Sequence, residues 1–364
     1  MRYPLLCLMA LLAMLTSVCA ETLPPLKDGK VPQNLDELWT GFDPLKEPLE
    51  AEVVREWKEG DITIRHVVFT IGTFKGQKSR LAAFYAFPKS DKKLPGILQI
   101  HGGGGRAQTS AVIWAAENGY AGLSINWLGN PMDKMEAGDA NTDWGAIDAT
   151  QTTHVGSFFT IAPDPKTIDD VPSPRNNNWY LVTIAGRRAL TFLEQQPNVD
   201  AQKLGVFGHS MGGILSTMVT GTDPRVKASV PSVGGSGDFV PASMAGRAGA
   251  GYRNRIKEEL YFKTVDESVV QPHIKCPILY QGPHNDFNCN YDLLNANWKG
   301  IPGKDVHFSI SPHLNHRHCD ESEFARFRFF DVVLKGEGTF PATPKLEVNL
   351  KTADGIPMAT VTPE

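Results

Sequence analysis

The sequence predicts an α/β fold, a mainly parallel sheet flanked by helices, on three observations. A short apolar run, Leu204-Gly205-Val206-Phe207, leads directly into Gly208-His209-Ser210-Met211-Gly212, with helix-compatible residues Ile214 to Val219 behind it. A second strand-like run, Pro95 to Ile100, leads into the glycine run His101-Gly102-Gly103-Gly104-Gly105. Around them, strand-like and helix-like segments alternate: a helix from Gln108 to Glu117, a strand from Ala121 to Asn126, a helix from Trp179 to Gln195. That alternation is the signature of right-handed crossovers onto a parallel sheet.

The elements follow in order. Glu21 to Pro48 is rich in proline and charge and is expected as an irregular surface arm. Asp61 to Phe69 and Leu81 to Phe87 are β-rich, with Gly76-Gln77-Lys78 turning between them, and suit an antiparallel edge. Residues 128–178 interrupt the rhythm with seven aspartates and little periodicity. A segment that long is expected to be functional, here a lid or substrate platform. Its Trp144, among acids and asparagines, is a candidate for stacking on a sugar ring, or else an anchor for the insertion. In the next helix Leu181, Ile184, Ala185, Ala189, Phe192 and Leu193 fall on one face. Strands are expected at Val226 to Val230, Pro277 to Gln281 and Val306 to Ser311, with a glycine-rich, cap-like excursion from Ser232 to Gly251. A final helix places Phe324, Phe327, Phe330 and Leu334 against the sheet, and the tail 336–364 carries one β-like run, Lys345 to Lys351.

Two motifs carry chemistry. In a strand–G-x-S-x-G–helix turn the serine hydroxyl is held up for attack, and the flanking glycines avoid a clash where the backbone doubles back. Ser210 is therefore the candidate nucleophile. A glycine run after a strand lets backbone N–H groups face a ligand oxygen. Gly102 and Gly103, with Met211 after the serine, are the candidate oxyanion donors.

On these motifs the chain resembles the α/β-hydrolase superfamily, and within it the branch of dienelactone hydrolases, acetyl xylan esterases and prolyl-oligopeptidase-like enzymes. The resemblance runs from about Ile62 to Lys335. It implies an acid and then a histidine after the serine. Asp286, in the turn after Pro277 to Gln281, sits where the family places its acid, with Asp292 in reserve. The base is expected just past the last strand, where His313, His316 and His318 crowd together. The family's Asn-His pattern favours His316. In this fold the acid and histidine loops are neighbours, which suggests a disulfide between Cys289 and Cys319.

The first twenty residues, a positive charge, an apolar run and then Val18-Cys19-Ala20, read as a secretory signal peptide, so the protein is expected to be secreted or periplasmic. Residues 21–335 form the expected hydrolase domain. With 36 basic and 40 acidic residues in 364, well mixed, no nucleic-acid partner is implied, and no segment suits a membrane span. The expected activity is that of a serine carboxylesterase removing acetyl or other short acyl groups from a carbohydrate, through an acyl-enzyme and without metal or cofactor. The alternatives are a prolyl-oligopeptidase-type peptidase, for which too few residues precede His101 to build a propeller, and a silent hydrolase-fold binding protein.

Overall fold

A computed structural model describes residues 23–363 apart from 151–157, 236–255, 257, 287–288, 290, 292–293, 296–297, 304, 313 and 343. The segment read as a signal peptide, most of the glycine-rich excursion, His313 and Asp292 lie outside the described residues.

The centre is a nine-stranded sheet in the order β1-β2-β3-β5-β4-β6-β7-β8-β9. Its strands are β1 (Glu52–Glu59), β2 (Ile62–Phe74), β3 (Gln77–Pro88), β4 (Leu94–Ile100), β5 (Ala121–Ile125), β6 (Val199–His209), β7 (Val226–Ser232), β8 (Ile278–Pro283) and β9 (Val306–Ser311). The first three pair antiparallel, β3 pairs antiparallel with β5, and the rest are parallel. This is the α/β-hydrolase arrangement. β1 is absent from the sequence reading. In its run Glu52-Val53-Val54-Arg55-Glu56-Trp57-Lys58-Glu59 five of eight residues are charged, because an edge strand outside the core keeps its polar groups in water.

From β4 the chain moves to β5 on one side and returns to β6 on the other. The order reverses there, and a crevice opens beyond the carboxyl ends of β4 and β6. In register, Ile100 lies opposite Gly208, so the glycine run and the serine turn leave adjacent strands side by side.

Helices α2 (Thr109–Glu117), α3 (Asn178–Glu194) and α4 (Met211–Thr222) flank the sheet, with a C-terminal helix, Asp320–Phe330, continuing as a π-turn to Lys335. α3 is buried on every side from Asn178 to Leu193, beyond the single apolar face its sequence presents. The reason lies in the N-terminal arm. Leu38, Phe42 and Leu49 join the main core, and Arg188 of α3 donates to the carbonyls of Pro44, Pro48 and Thr70. The arm is thus a fixed cover over α3, short helix α1 (Leu35–Trp39) included.

Phe327, Phe330 and Leu334 pack under the sheet, but Phe324 is 75% exposed. At 100° per residue it points about 90° away from the mean direction of Phe327 and Phe330. The tail forms a two-stranded ribbon, β10 (Lys345–Asn349) with β11 (Met358–Thr362), exposed throughout.

The described part of the insertion is stitched to the body. Arg80 and Asp143 exchange both backbone hydrogen bonds, Asp133 accepts from the Thr109 amide at the start of α2, and Asp169 pairs with Arg175 at 3.2 Å. Three of the aspartates therefore serve structure. Ile147, Ala149, Phe158 and Ile161 sit in the main core.

Candidate active site

Ser210 terminates β6 and caps α4 with φ 62° and ψ −122°. A non-glycine residue in that region is strained by about 1–3 kcal/mol, and the surroundings must hold it there. They do so through backbone. The Ser210 amide donates to the Ser232 carbonyl at 2.8 Å, and the Ser210 carbonyl accepts from the amides of Gly213 and Ile214. A Cβ at Gly208 or Gly212 would strike the Ile100 carbonyl, so only glycine lets β6 turn into α4 this close to β4.

The serine hydroxyl is not alone. His316 Nε2 lies 2.8 Å from Ser210 Oγ, and His316 Nδ1 lies 2.7 Å from Asp286 Oδ2. The Asp286 side chain is almost fully buried. Its Oδ1 accepts from the Cys289 amide at 2.6 Å. With both oxygens engaged, the carboxylate is fixed toward the ring. The histidine loop is held in turn: Asn315, at φ 55°, donates its amide to Asn285 Oδ1 at 3.0 Å. A deprotonated Asp286 requires the proton on His316 Nδ1, which leaves Nε2 to accept from the serine.

The glycine run closes the other side. A Cβ on Gly102 would sit 2.8 Å from the His209 carbonyl and 3.2 Å from Ser210 Cβ, so this backbone abuts the serine. The Gly102 carbonyl accepts from the Gly105 amide at 3.1 Å and from His101 Nδ1 at 2.8 Å. Because a trans peptide sets C=O and N–H antiparallel, the Gly103 N–H then points the opposite way from the carbonyl. Burial pushes His101 down to about 4, so its ring stays neutral at ordinary pH. Met211, the other expected donor, opens α4.

Ser210, Asp286, His316 and Gly102 are thus brought together. Trp144 is not. It is 5% exposed, packed in the main core, and its indole N–H donates to the Trp127 carbonyl at 3.0 Å. Buried to that extent, the ring is not open to a sugar, so the reading of Trp144 as a sugar platform is corrected to that of an anchor. The suggested disulfide is corrected too: Cys276, Cys289 and Cys319 form none. Cys289 packs with Val233, Ile278 and Leu294, whereas Cys319 Sγ turns to Ser322 Oγ at 3.3 Å. His318 is bonded instead to Ser232 Oγ, through Nε2 at 2.8 Å.

The sequence reading misses Trp127. Its indole N–H donates to the His101 carbonyl and its ring stacks on the imidazole. Its place just past the carboxyl end of a central strand is the signal that marks it.

No curated protein sequence matches the chain. Among solved structures, the acetyl xylan esterase from Paenibacillus sp. R4 superposes with a TM-score of 0.59 at 20% identity, over 80% of this chain and 91% of that one. Acetyl Xylan Esterase 1 from Thermoanaerobacterium sp. JW/SL YS485 gives 0.57 at 17%, over 82% and 95%. The glucuronoyl esterase from Solibacter usitatus gives 0.51 at 14%, over 78% and 85%. At these identities the structures speak for the fold. The family profile described as Acetyl xylan esterase (AXE1) matches residues 21–272, well over half of the 364 residues, ending before Asp286 and His316. The chain belongs to the acetyl xylan esterase (AXE1) family and is a carboxylic ester hydrolase acting on small-molecule or carbohydrate esters.

Proposed function

We propose that the protein is an exported serine esterase that removes acetyl or other short acyl groups from a carbohydrate, with Ser210, His316 and Asp286 as its catalytic residues. The carrying observation is the unbroken hydrogen-bonded line from Ser210 Oγ through His316 to Asp286. The family match supports a carbohydrate ester as substrate. The charged and apolar first twenty residues support export.

The chemistry follows from the geometry. Ser210 Oγ attacks the acyl carbonyl as its proton passes to His316 Nε2. The imidazolium keeps its Nδ1–H on Asp286, whose buried charge stabilises it. Negative charge gathers on the former carbonyl oxygen, beside backbone amides of the 102–103 pair and Met211. Each such donor is worth about 3 kcal/mol in the transition state. Collapse expels the sugar hydroxyl, which takes the proton from His316 and leaves an acyl-serine. Water, activated by the same nitrogen, then releases the carboxylic acid.

Hydrolysis of p-nitrophenyl acetate, butyrate and octanoate, followed by acetate release from acetylated xylan, tests this. Turnover that favours acetate and vanishes in Ser210→Ala is expected. Equal turnover by wild type and Ser210→Ala would remove the assignment.

A further inference from the structure

Behind the serine turn, between α2 and the C-terminal helix, lies a cavity of about 380 Å³ lined in part by Gln99, Gln108, Ser110, His209, His318 and Arg326. Neither Ser210 nor His316 lines it. Trp114 and Phe207 complete its apolar walls.

Arg326 is the unusual member. It is only 6% exposed, and its guanidinium lies 4.6 Å above the Phe207 ring. Among the described residues its hydrogen bond is a long one, Nε to Gln281 Oε1 at 3.5 Å. The Gln281 amide nitrogen is spent on the Ser322 carbonyl. Glu323, one turn earlier, is exposed at the cavity wall and makes no ion pair with it among the described residues. Burial lowers Arg326 to about 10, which still leaves it charged at neutral pH. A buried cation is retained only when something compensates it, and the Glu323 charge, which favours the Arg326 cation from a distance, offsets burial only in part.

We propose that the cavity binds a small organic carboxylate, clasped by Arg326, with Gln99, Gln108 and Ser110 available to its hydroxyl groups. The guanidinium fork matches a carboxylate in shape and accepts it through two parallel N–H···O bonds. A phosphate dianion fits less well, because the neighbouring His209 and His318 are both held neutral by burial. The carboxylate has two sources in carbohydrate ester hydrolysis, the released acid or a uronate unit of the sugar chain. Trp114, with Ser110 and Gln108 beside it, offers the face and polar groups that suit a sugar ring.

Calorimetric titration of Ser210→Ala protein with sodium acetate and with sodium glucuronate tests the site without any turnover. Saturable binding of at least one is expected, weakened by about tenfold or more when Arg326→Gln is added. Because a buried arginine also packs, a second variant, Ser110→Trp, fills the cavity from α2 and leaves Arg326 in place; it should abolish the same binding while the protein melts normally. Preference for acetate assigns the released acid, and preference for glucuronate assigns the sugar chain. Binding by neither anion, or binding unchanged in Ser110→Trp, overturns the proposal. These outcomes stand apart from the esterase reading, which is judged on turnover.

Discussion

The Trp127 indole N–H donates to the His101 carbonyl at 3.0 Å while the two rings stack 5.1 Å apart. Trp144 extends the chain by bonding the Trp127 carbonyl. The insertion therefore reaches the glycine run through two tryptophans in series. Trp127→Phe keeps the stack and most of the volume but removes the donor. We expect kcat to fall by about tenfold, the value of one hydrogen bond of about 1.4 kcal/mol, with KM for p-nitrophenyl acetate unchanged. Steady-state kinetics decides; a rise in KM at constant kcat would place Trp127 in substrate binding instead.

Trp144 itself gives a second prediction. Trp144→Ala empties a site in the main core and should cost about 3–5 kcal/mol of stability. Trp144→Phe retains the packing, and with it the ratio of activity on acetylated xylan to activity on p-nitrophenyl acetate. A selective loss on the polysaccharide would restore the stacking role that burial argues against.

Asp286 fixes the tautomer of His316 through one oxygen and is anchored through the other by Cys289. Asp286→Asn is nearly isosteric, but its amide presents a donor or an acceptor according to its flip, and a donor facing Nδ1 forces the proton onto Nε2. The serine then loses its base. A fall in kcat of about 10⁴ is expected with a normal melting curve. A fall of less than about tenfold would assign the acid elsewhere, and Asp292 is the next residue to change.

The crossover sheet, the serine turn and the glycine run were legible because each is written locally. A strand period breaks into glycines whose missing side chains the close approach of β4 and β6 demands. Asp286 was reached through chain order, and His316 through chain order together with the Asn315-His316 pair that the family resemblance favours. What the sequence hid was tertiary. Trp144 looks exposed beside Asp143 and Asn141, yet Asp143 turns to pair with Arg80 and the indole drops into the core. The Cys289–Cys319 spacing beside the acid and the base suggested a bond, but the two thiols turn to different neighbours. β1 was missed because an edge strand needs no apolar alternation, and Arg326 because nothing in a helix sequence announces a buried charge.

The imidazoles around the serine turn make stability depend on pH. Burial, the main cause, lowers His101 and His209 to about 4 and His318 to about 3; Arg326 is the second cause at His318. In the unfolded chain each returns to about 6.5. Below that value the unfolded chain takes up protons that the folded chain refuses, so the equilibrium moves toward unfolding. The stability these groups permit is complete above about pH 6.5, is lost as pH falls toward 4, and for His318 goes on falling toward 3. Each imidazole should cost about 2 kcal/mol at pH 5 relative to neutral pH. Urea midpoints of the wild type should therefore drop between pH 7 and pH 5. His318→Gln, which keeps a partner for Ser232 but cannot titrate in this range, should drop by about 2 kcal/mol less. Parallel losses in the two proteins would mean that His318 takes up its proton in the folded state as readily as in water, and would remove it from the buried, neutral set beside Arg326.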